Sequence, residues 1–415
     1  MTNPQPLHLF EGFGVELEYM IVNQETGRVA PISDWLLHSF SGTYQSEIEG
    51  DGLNWSNELV LHVIELKTQG PEPSLQPLAQ AFQKNVSAIN QRLQDKGACL
   101  MPTAMHPGMH PDRETKLWPH EYNQVYETYN KIFDCRGHGW SNLQSVHINL
   151  PFANDDEFGR LHAAIRLMLP ILPALAASSP LVEYQANGVL DNRMKFYAAN
   201  SIKIPSVTGK VIPEAVFTAA EYQSDILEKI YQDIAPFDPE ETLQEEWCNA
   251  RGAIARFDRN AIEIRVLDIQ ECPQADLSIA WLITKCLQDL VNGRLCSYAT
   301  QQSFHEDPLA AILQNCVKRG MNAVIEDAGY LQALGLHSQS QTTAGELWQS
   351  LFETAQQSAS ASDEQFFTPL KTIIKNGNLS SRILAAVDGN LNPTSIDAVY
   401  RELCGCLSEG RLFVG

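Results

Sequence analysis

The stretch GVELEYMIV, from Gly14 to Val22, predicts a β-strand with two unlike faces. Along one face four apolar side chains alternate: Val15, Leu17, Tyr19 and Ile21. Glu16 and Glu18 point the opposite way, roughly 7 Å apart along the strand. Two like charges at that distance repel each other, so we expect the two carboxylates to share a binding partner that offsets the repulsion.

Three further segments predict strands of the same kind: Leu59–Thr68, a strand that starts at Ser145, and Ala261–Ile269. Each combines an apolar face with polar side chains that titrate. Because an antiparallel sheet can leave one face wet, the polar side chains of all four strands are expected on one common face. That face would carry Glu16, Glu18, Glu65, His147, Glu263 and Arg265.

Several carboxylates with one imidazole are the ligand type that hard divalent cations such as Mg²⁺ or Mn²⁺ prefer. Arg265 follows Glu263 on the same face, and an arginine beside metal-held oxygens commonly stabilises a transferring phosphoryl group. Glu58 lies seven residues before Glu65, so on a regular strand it would face the other way unless a bulge intervenes. The alternative is a polar sheet face that merely contacts water, which any single strand would fit equally well.

The segments between these strands predict helices and a loop. A helix is expected over Ser74–Lys96, ended by Gly97. A buried apolar helix is expected over Leu167–Ala177, which is too short to span a bilayer. Asn187–Lys210 has no clear period and is interpreted as a long loop or lid. From about Asp276 onward the pattern is helical.

Together these elements predict an α+β fold with a mainly antiparallel sheet and helices on its outer face. Residues 1–275 are expected to form the catalytic sheet domain, and residues 276–415 a helical part packed on it.

Composition narrows the class of protein. The chain has 415 residues and a formal net charge of −21, which argues against binding to nucleic acid or to anionic membranes. Its nine cysteines are scattered without a CxxC pair, which is typical of reduced thiols in a cytoplasmic protein. The start, MTNPQPLHLF, shows no signal-peptide pattern, so a cytoplasmic location is expected.

Other catalytic motifs are not found. The sequence contains no GxxxxGK[ST], GxGxxG after a strand, GxSxG or HExxH, which excludes a Walker-type phosphate loop. The histidine-rich segment His106–His120 suggests zinc, but its prolines and irregular spacing fit a tetrahedral site poorly.

Six segments, in this order, resemble a known family: GVELEYMIV, the Glu65 strand, MHP after Ala104, LQSVHINLPF, ASSPLVEYQANGVLDNR and IEIRVLD. The sequence is similar to the type-2 glutamate–cysteine ligases and the related bacterial carboxylate–amine ligases, from roughly Phe13 to Asp268. The resemblance implies a fold like that of glutamine synthetase and the guanido kinases, with a curved sheet that holds metal, ATP and substrate. It also implies that ATP converts the side-chain carboxylate of glutamate to an acyl phosphate, which an amine such as cysteine then attacks.

The resemblance further implies a role for each matching residue. The metal ligands would be Glu16, Glu18, Glu58, Glu65, His147 and Glu263, holding Mg²⁺ or Mn²⁺. Arg265 would contact the transferring phosphate, and Arg193 would clamp a substrate carboxylate as a further catalytic residue. Asn149 would face the substrate, and Arg251 and Arg256 would lie near the nucleotide.

Some positions depart from the family pattern. Ser145 stands where bacterial relatives carry the first histidine of HVHVG, and Asp191 or Asn192 stands where a serine is usual near Arg193. These differences leave the amine substrate open. A catalytically silent nucleotide-binding relative and a phosphotransferase on the same fold remain alternatives, and a homodimer is left open.

Overall fold

The computed structural model describes residues 6–415, so the first five residues of the N-terminal segment lie outside the described range. Its twelve strands are β1 (Gly14–Asn23), β2 (Glu47–Glu49), β3 (Leu53–Asn57), β4 (Val63–Thr68), β5 (Ala98–Met101), β6 (Ser145–Pro151), β7 (Leu181–Val182), β8 (Gln185–Ala186), β9 (Ala253–Arg256), β10 (Ala261–Asp268), β11 (Val324–Ile325) and β12 (Thr342–Thr343). Eight of them form one sheet, in the order β2-β3-β4-β1-β6-β10-β9, with β5 paired to the end of β1. All its pairings are antiparallel.

The α-helices are α1 (Ser33–Ser41), α2 (Leu78–Leu93), α3 (Pro111–Glu114), α4 (Asn123–Phe133), α5 (His138–Ser141), α6 (Asp155–Met168), α7 (Leu172–Ala176), α8 (Asn192–Tyr197), α9 (Ala219–Tyr222), α10 (Glu228–Ile234), α11 (Pro273–Val291), α12 (Tyr298–Gln302), α13 (Glu306–Arg319), α14 (Ala328–Ala333), α15 (Ala344–Gln357), α16 (Phe367–Asn376), α17 (Leu379–Val387) and α18 (Pro393–Glu409). The α+β prediction with a mainly antiparallel sheet is confirmed.

The structure contains the predicted strands and helix, with shifts at some of their ends. Strands β1, β6 and β10 match their predictions, whereas β4 begins at Val63 rather than at Leu59. Helix α2 begins at Leu78, and a 3₁₀ turn extends it to Lys96. Gly97 ends that turn at φ 61°, a left-handed conformation that glycine adopts without strain.

The apolar face of the sheet packs against helices to form the larger core. Leu17 and Ile148 on the sheet are fully buried, as are Phe82 on α2 and Ile165 on α6. The run Asp155–Ala176, which contains α6 and α7, is long and apolar enough to cross a membrane, yet 94% of its most apolar window is buried inside the fold. This run is therefore a core helix, as predicted for its second half.

A second, smaller core joins the C-terminal helices to the sheet. Met20 and Val22 of β1 pack there with Met101 of β5 and with Ile383 and Leu403 of α17 and α18. Helix α18 also contacts α2, and α11 contacts both α2 and α6. The C-terminal helices thus pack on the sheet part of the chain, while the boundary between residues 275 and 276 remains a prediction.

Candidate active site

Strand β1 lies at the centre of the candidate site because its register places acidic side chains beside both neighbours. Glu18 pairs with Glu65 on β4, and Glu16 pairs with His147 on β6. Glu16 also lies opposite Lys67 on β4. Since directly paired residues of an antiparallel sheet share a face, these side chains converge on one side of the sheet.

His147, on β6, lies between the acidic side chains of two other strands, β1 and β10. Its Nδ1 lies 3.0 Å from Glu16 Oε2 and 3.6 Å from Glu263 Oε1, and its Nε2 lies 3.6 Å from Glu18 Oε1. The carboxylates of β1 and β10 therefore lie on the same side of the fold, around one imidazole.

Ser145 holds Glu18 in place from the start of β6. Its backbone N–H donates to Glu18 Oε2 at 2.8 Å, and its hydroxyl donates to Glu18 Oε1 at 3.0 Å. The serine that departs from the family pattern is thus part of the site, where it orients a carboxylate.

Glu58 lies at the site, although the parity of a regular strand would have placed it on the opposite face from Glu65. It follows β3 rather than opening β4, and Asn57, the residue before it, pairs with Ile64 of β4, next to Glu65. No bulge on β4 is needed. Glu58 therefore lies beside Glu18 and Glu65.

The acidic residues form two groups that each suit a cation. In each group the ligand atoms lie within 4.8 Å of one another: Glu16, Glu65 and His147 in one, and Glu18, Glu58 and Glu65 in the other. Glu65 belongs to both. These are the only such groups of three or more histidine, cysteine or acidic residues found in residues 6–415. Oxygen-rich groups of this kind fit Mg²⁺ or Mn²⁺.

The electrostatics of the site also favour a cation. Burial raises the pKa of Glu65 to about 7, and the charge of Glu16 adds to this effect. Burial likewise raises the pKa of Glu58, together with the charges of Glu18 and Glu65. Carboxyl groups with raised pKa values bind protons readily, and a divalent cation would relieve the same repulsion.

The pKa values of His147 and Glu16, by contrast, shift so that each group favours its charged form. Burial opposes a charge on His147, but the hydrogen bond to Glu16 and the surrounding carboxylates raise its pKa to about 9. Burial would raise the pKa of Glu16, but the hydrogen bond and charge of His147 more than offset it and lower that pKa. The pair therefore favours its charged form at neutral pH, and a cation bound by His147 would have to displace the proton from its ring.

Arg265 and Arg256 both face Glu263. Arg265 Nε donates to Glu263 Oε1 at 2.8 Å, and Arg256 Nη1 lies 3.7 Å from Glu263 Oε2. Arg256 also pairs with Asp258 at 3.1 Å. Both oxygens of Glu263 therefore face arginines, and its role as a metal ligand remains a prediction that requires those arginines to move.

Arg193 and Arg251 are buried in ion pairs. Arg193 Nε donates to Asp268 Oδ1 at 2.7 Å, and Arg251 Nε donates to Glu214 Oε2 at 2.6 Å. Each arginine is only 2% exposed, so neither guanidinium faces an open cleft in this structure. Their predicted contacts with substrate carboxylate and nucleotide remain untested.

The segment Asn187–Lys210 was predicted as a long loop or lid, and this interpretation is wrong for its centre. Asp191 caps α8, which occupies Asn192–Tyr197, by accepting a hydrogen bond from the backbone N–H of Met194 at 2.8 Å. The cap and helix direct Arg193 into the fold. A short polar helix with few apolar positions gives little periodic signal, which explains the error.

A cover over the Glu58 side of the site comes instead from α4. Tyr126 of α4 accepts a hydrogen bond from Asn57 Nδ2 at 3.0 Å, immediately beside Glu58. Lys203 Nζ donates to the carbonyl oxygen of Ile132 at 3.0 Å, which attaches the second half of the predicted lid to α4. The second half of the predicted lid thus contacts α4.

A cavity of about 660 Å³ opens beside Glu16. Its polar lining includes Lys67, Asn149 and Arg259. Lys67 pairs with Glu47 at 2.6 Å and with Glu65 at 3.2 Å. Neither Lys67 nor Arg259 is among the site residues predicted from the sequence. The parity of β4 could have identified Lys67, which follows Glu65 on the same face, whereas Arg259 lies in a turn and gives no such signal.

The histidine-rich segment does not form a zinc site in the described residues. His106 Nε2 lies 2.7 Å from the carbonyl oxygen of Gly27, and its Nδ1 accepts from the N–H of Gly108. His110 and His120 contact Glu183 and Asp34 separately. These histidines therefore do not converge on one point.

The chain is similar to proteins of known sequence and known structure. The chain is 29% identical over 401 residues to an uncharacterized protein of Archaeoglobus fulgidus, an alignment that covers 97% of this chain and all of that protein. Among solved structures, the fold is similar to glutamate–cysteine ligase of Francisella tularensis in complex with AMP. That match has a TM-score of 0.60 and 13% identity, and it covers 96% of this chain and 93% of the other.

The fold is also similar to the ligase PafA, solved in complex with the prokaryotic ubiquitin-like protein Pup. The TM-score is 0.52 with 11% identity, over 99% of this chain and 77% of the other. At these identities the two structures show a shared fold. The family profile of glutamate-cysteine ligase family 2 (GCS2) matches residues 12–402, nearly the whole chain. The protein therefore belongs to glutamate-cysteine ligase family 2.

Proposed function

We propose that this protein is an ATP-dependent carboxylate–amine ligase that joins the side-chain carboxylate of glutamate to an amine, with cysteine the first candidate. The observation that carries the proposal is the convergence of the carboxylates of Glu16, Glu18 and Glu58 on Glu65 of β4. Arg265 donates to Glu263 Oε1, which lies 3.6 Å from His147 Nδ1. Membership of the GCS2 family supports the reaction class. A small anionic substrate also agrees with a chain of net charge −21 only if cations offset repulsion within the site.

The two acidic groups fit divalent cations, because the donor set is mostly carboxylate oxygen and Glu65 and Glu58 have raised pKa values. Glu16, Glu65 and His147 would hold one Mg²⁺ ion, and Glu18, Glu58 and Glu65 would hold another. Mn²⁺ suits the same ligands. When bound, these ions supply positive charge that lets the phosphates of ATP approach a carboxylate.

The cavity beside Glu16 is the proposed nucleotide site. At about 660 Å³ its volume lies within the range of ligand pockets of ~300–1,000 Å³. Lys67 and Arg259 would supply cations for phosphate oxygens. Asn149 also lines the cavity, and its Nδ2 donates to Glu16 Oε1 at 3.0 Å. Its position next to the acidic groups would bring the terminal phosphate towards Arg265.

The chain's own residues would then serve two steps. An oxygen of the glutamate side chain attacks the γ-phosphorus, and the bond from that phosphorus to ADP breaks, while Arg265 stabilises charge on the transferring group. The amine nitrogen next attacks the acyl carbon, phosphate leaves, and the nitrogen loses a proton to form the amide. Helix α4 would exclude water, which otherwise hydrolyses the acyl phosphate.

An isotope experiment tests this reaction. Purified protein would be incubated with MgATP, a pool of amino acids and glutamate labelled with oxygen-18 in its side-chain carboxylate. The expected result is amine-dependent ADP release, a γ-glutamyl amide by mass spectrometry, and one labelled oxygen in the released phosphate. Unlabelled phosphate would contradict the acyl-phosphate route.

Three further measurements separate the alternatives. Nucleotide binding by calorimetry without any turnover would indicate a catalytically silent relative. A stable phosphorylated product detected by phosphorus NMR would indicate a phosphotransferase. A matched pair of variants shows whether turnover belongs to this site, because Glu65→Gln removes the shared carboxylate, whereas Glu346→Gln changes only a surface capping residue of α15.

A cytoplasmic location is proposed as well. All nine cysteines are free thiols, and six of them are buried, as is typical of small core residues in a reducing compartment. Mass determination after thiol labelling under denaturing conditions tests this; nine labelled thiols in protein taken directly from its source are expected.

A further inference from the structure

Arg193 lies where it can hold the backbone of another arginine, Arg265, in place. Its Nε donates to Asp268 Oδ1 at 2.7 Å, and its Nη2 donates to the backbone carbonyl oxygen of Arg265 at 3.0 Å. We propose that Arg193 is a positioning residue for Arg265, which fixes the backbone from which the Arg265 side chain reaches the site. The inference rests on the proposed function, because it assigns Arg265 to the transferring phosphate.

The backbone at Arg265 needs such support because it lies in a β-bulge. The register between β10 and β6 shifts between Ile264 and Leu267, so Arg265 and Val266 together lie opposite His147. A bulge disrupts the hydrogen-bond ladder locally and leaves backbone groups to find other partners. Here Arg265 N–H donates to the carbonyl oxygen of Gly252 at 3.0 Å, and Arg193 satisfies the Arg265 carbonyl.

Asp268 in turn fixes Arg193. Its Oδ2 accepts from the backbone N–H of Ser178 and from the hydroxyl of Ser179, each at 2.8 Å. The side chain of Asp268 is fully buried and that of Arg193 is 2% exposed. A buried pair whose hydrogen bonds are satisfied holds one geometry, because any rearrangement would leave a charge unpaired in a poorly solvated region.

The result is a continuous connection from the buried pair to the site. Arg193 holds the carbonyl of Arg265, and the Arg265 guanidinium contacts Glu263 at 2.7 Å. The planar fork of arginine donates to two acceptors at once, whereas lysine presents one nitrogen and would lose either the Asp268 or the Arg265 contact. Arg193→Lys therefore keeps the charge and removes the positioning.

The test uses binding, so it does not depend on knowing the amine. Calorimetry with the full chain and Mg²⁺ would compare the affinity for a non-hydrolysable ATP analogue with that for ADP. The ratio of the two affinities reports contacts with the terminal phosphate, which Arg265 is proposed to make. We expect Arg193→Lys to lower this ratio about tenfold, the equivalent of one charge-assisted hydrogen bond.

A matched control is available in the same chain. Arg382 and Glu271 form a second buried ion pair, 2% and 0% exposed, that joins α17 to the region after β10. Arg382→Lys perturbs a pair of similar burial whose partners are Glu271 and the carbonyls of Gly377 and Phe413. We expect its affinity ratio to equal that of the unmodified protein.

A double variant distinguishes positioning from direct contact. If Arg193 acts through Arg265, then Arg193→Lys combined with Arg265→Lys has the same ratio as Arg265→Lys alone. Additive losses would overturn the positioning role and favour direct contact of Arg193 with a ligand. An unchanged ratio in folded Arg193→Lys would overturn it as well, while leaving the proposed function intact.

If Arg193→Lys does not fold, Ser179→Ala gives a milder change, because it removes one donor to Asp268 and leaves the Ser178 N–H. A ratio lowered by about two- to threefold is then expected. Ser179→Ala that folds with an unchanged ratio would contradict the inference. Failure of the unmodified protein to bind either nucleotide would instead contradict the proposed function itself, and the inference with it.

Discussion

Glu16 on β1 and His147 on β6 are paired in register and lie 3.0 Å apart between carboxylate oxygen and imidazole nitrogen. This contact joins two strands that are more than a hundred residues apart in the chain, since 131 positions separate the two residues. The carboxylates of Glu18 and Glu263 lie 3.6 Å from the same imidazole.

Replacing Glu16 by glutamine should abolish turnover while the fold remains. The amide keeps the shape of the side chain but loses the charge that a divalent cation requires, and a loss of about 100-fold or more is expected. ADP release measures the effect, and circular dichroism checks the fold. Glu263→Gln is expected to behave similarly. Near-normal turnover in either variant would remove that residue from the site.

Mg²⁺ should raise the thermal midpoint of the protein. A ligand present at ~100 times its dissociation constant stabilises the folded state by about 2.7 kcal/mol. Because Glu65 contributes to both acidic groups and Glu58 to one, Glu65→Gln should remove the shift and Glu58→Gln should reduce it. Differential scanning calorimetry with and without Mg²⁺ gives the answer, and equal shifts in both variants would argue against the shared role of Glu65.

Lys67→Met should weaken the binding of ATP. The substitution removes a cation from the wall of the cavity beside Glu16, and the KM for ATP is expected to rise about tenfold. Lys84→Met is a suitable control, because Lys84 is an exposed lysine that pairs with Asp51 and does not line this cavity. A similar rise in both variants would point to a general effect of net charge rather than to a phosphate contact.

Acid should destabilise the protein partly through His162. Burial lowers its pKa from the ordinary value of 6.5 to about 3. The unfolded chain therefore binds a proton first, so the stability that neutral His162 contributes is complete above the ordinary pKa and is lost as pH falls towards the lowered one. At one pKa unit per ~1.4 kcal/mol, about 3 kcal/mol would be lost by about pH 4.

His162→Asn removes this titration, although it also loses packing against Phe158 and Tyr222. We therefore expect the variant to be less stable at neutral pH but to lose less free energy of unfolding on acidification. Urea unfolding at several pH values measures the slope. Parallel pH profiles for the two proteins would contradict the assignment.

The parity of the strands predicted which side chains would share a face. Up to Ile264, where the bulge of β10 begins, β1, β6 and β10 alternate regularly enough to identify the face of Glu16, His147 and Glu263. Parity could not account for Glu58, which the structure places beside Glu18 and Glu65, because β3 is a short polar strand, LNWSN, with no clear alternation. Without that strand, the hairpin that returns Glu58 to the site could not be inferred.

The burial of Arg193 could not be predicted from a local sequence pattern either. Its partner Asp268 lies 75 residues away, and the contact depends on the bulge in β10 and on the cap of α8. The cap is a local contact, but the bulge and the ion pair arise from tertiary packing, which single-sequence periodicity does not record. The resemblance implied that Arg193 clamps a substrate carboxylate; the structure shows its guanidinium paired with Asp268, and the substrate contact remains a prediction.

Since Glu65 supplies oxygen to both acidic groups, occupancy of one position alters the charge available to the other. Under the proposed function the two cation positions would be thermodynamically linked, and by reciprocity each would change the other's affinity by the same factor. A titration that follows both should depart from two independent hyperbolas, and Glu65→Gln should abolish that departure.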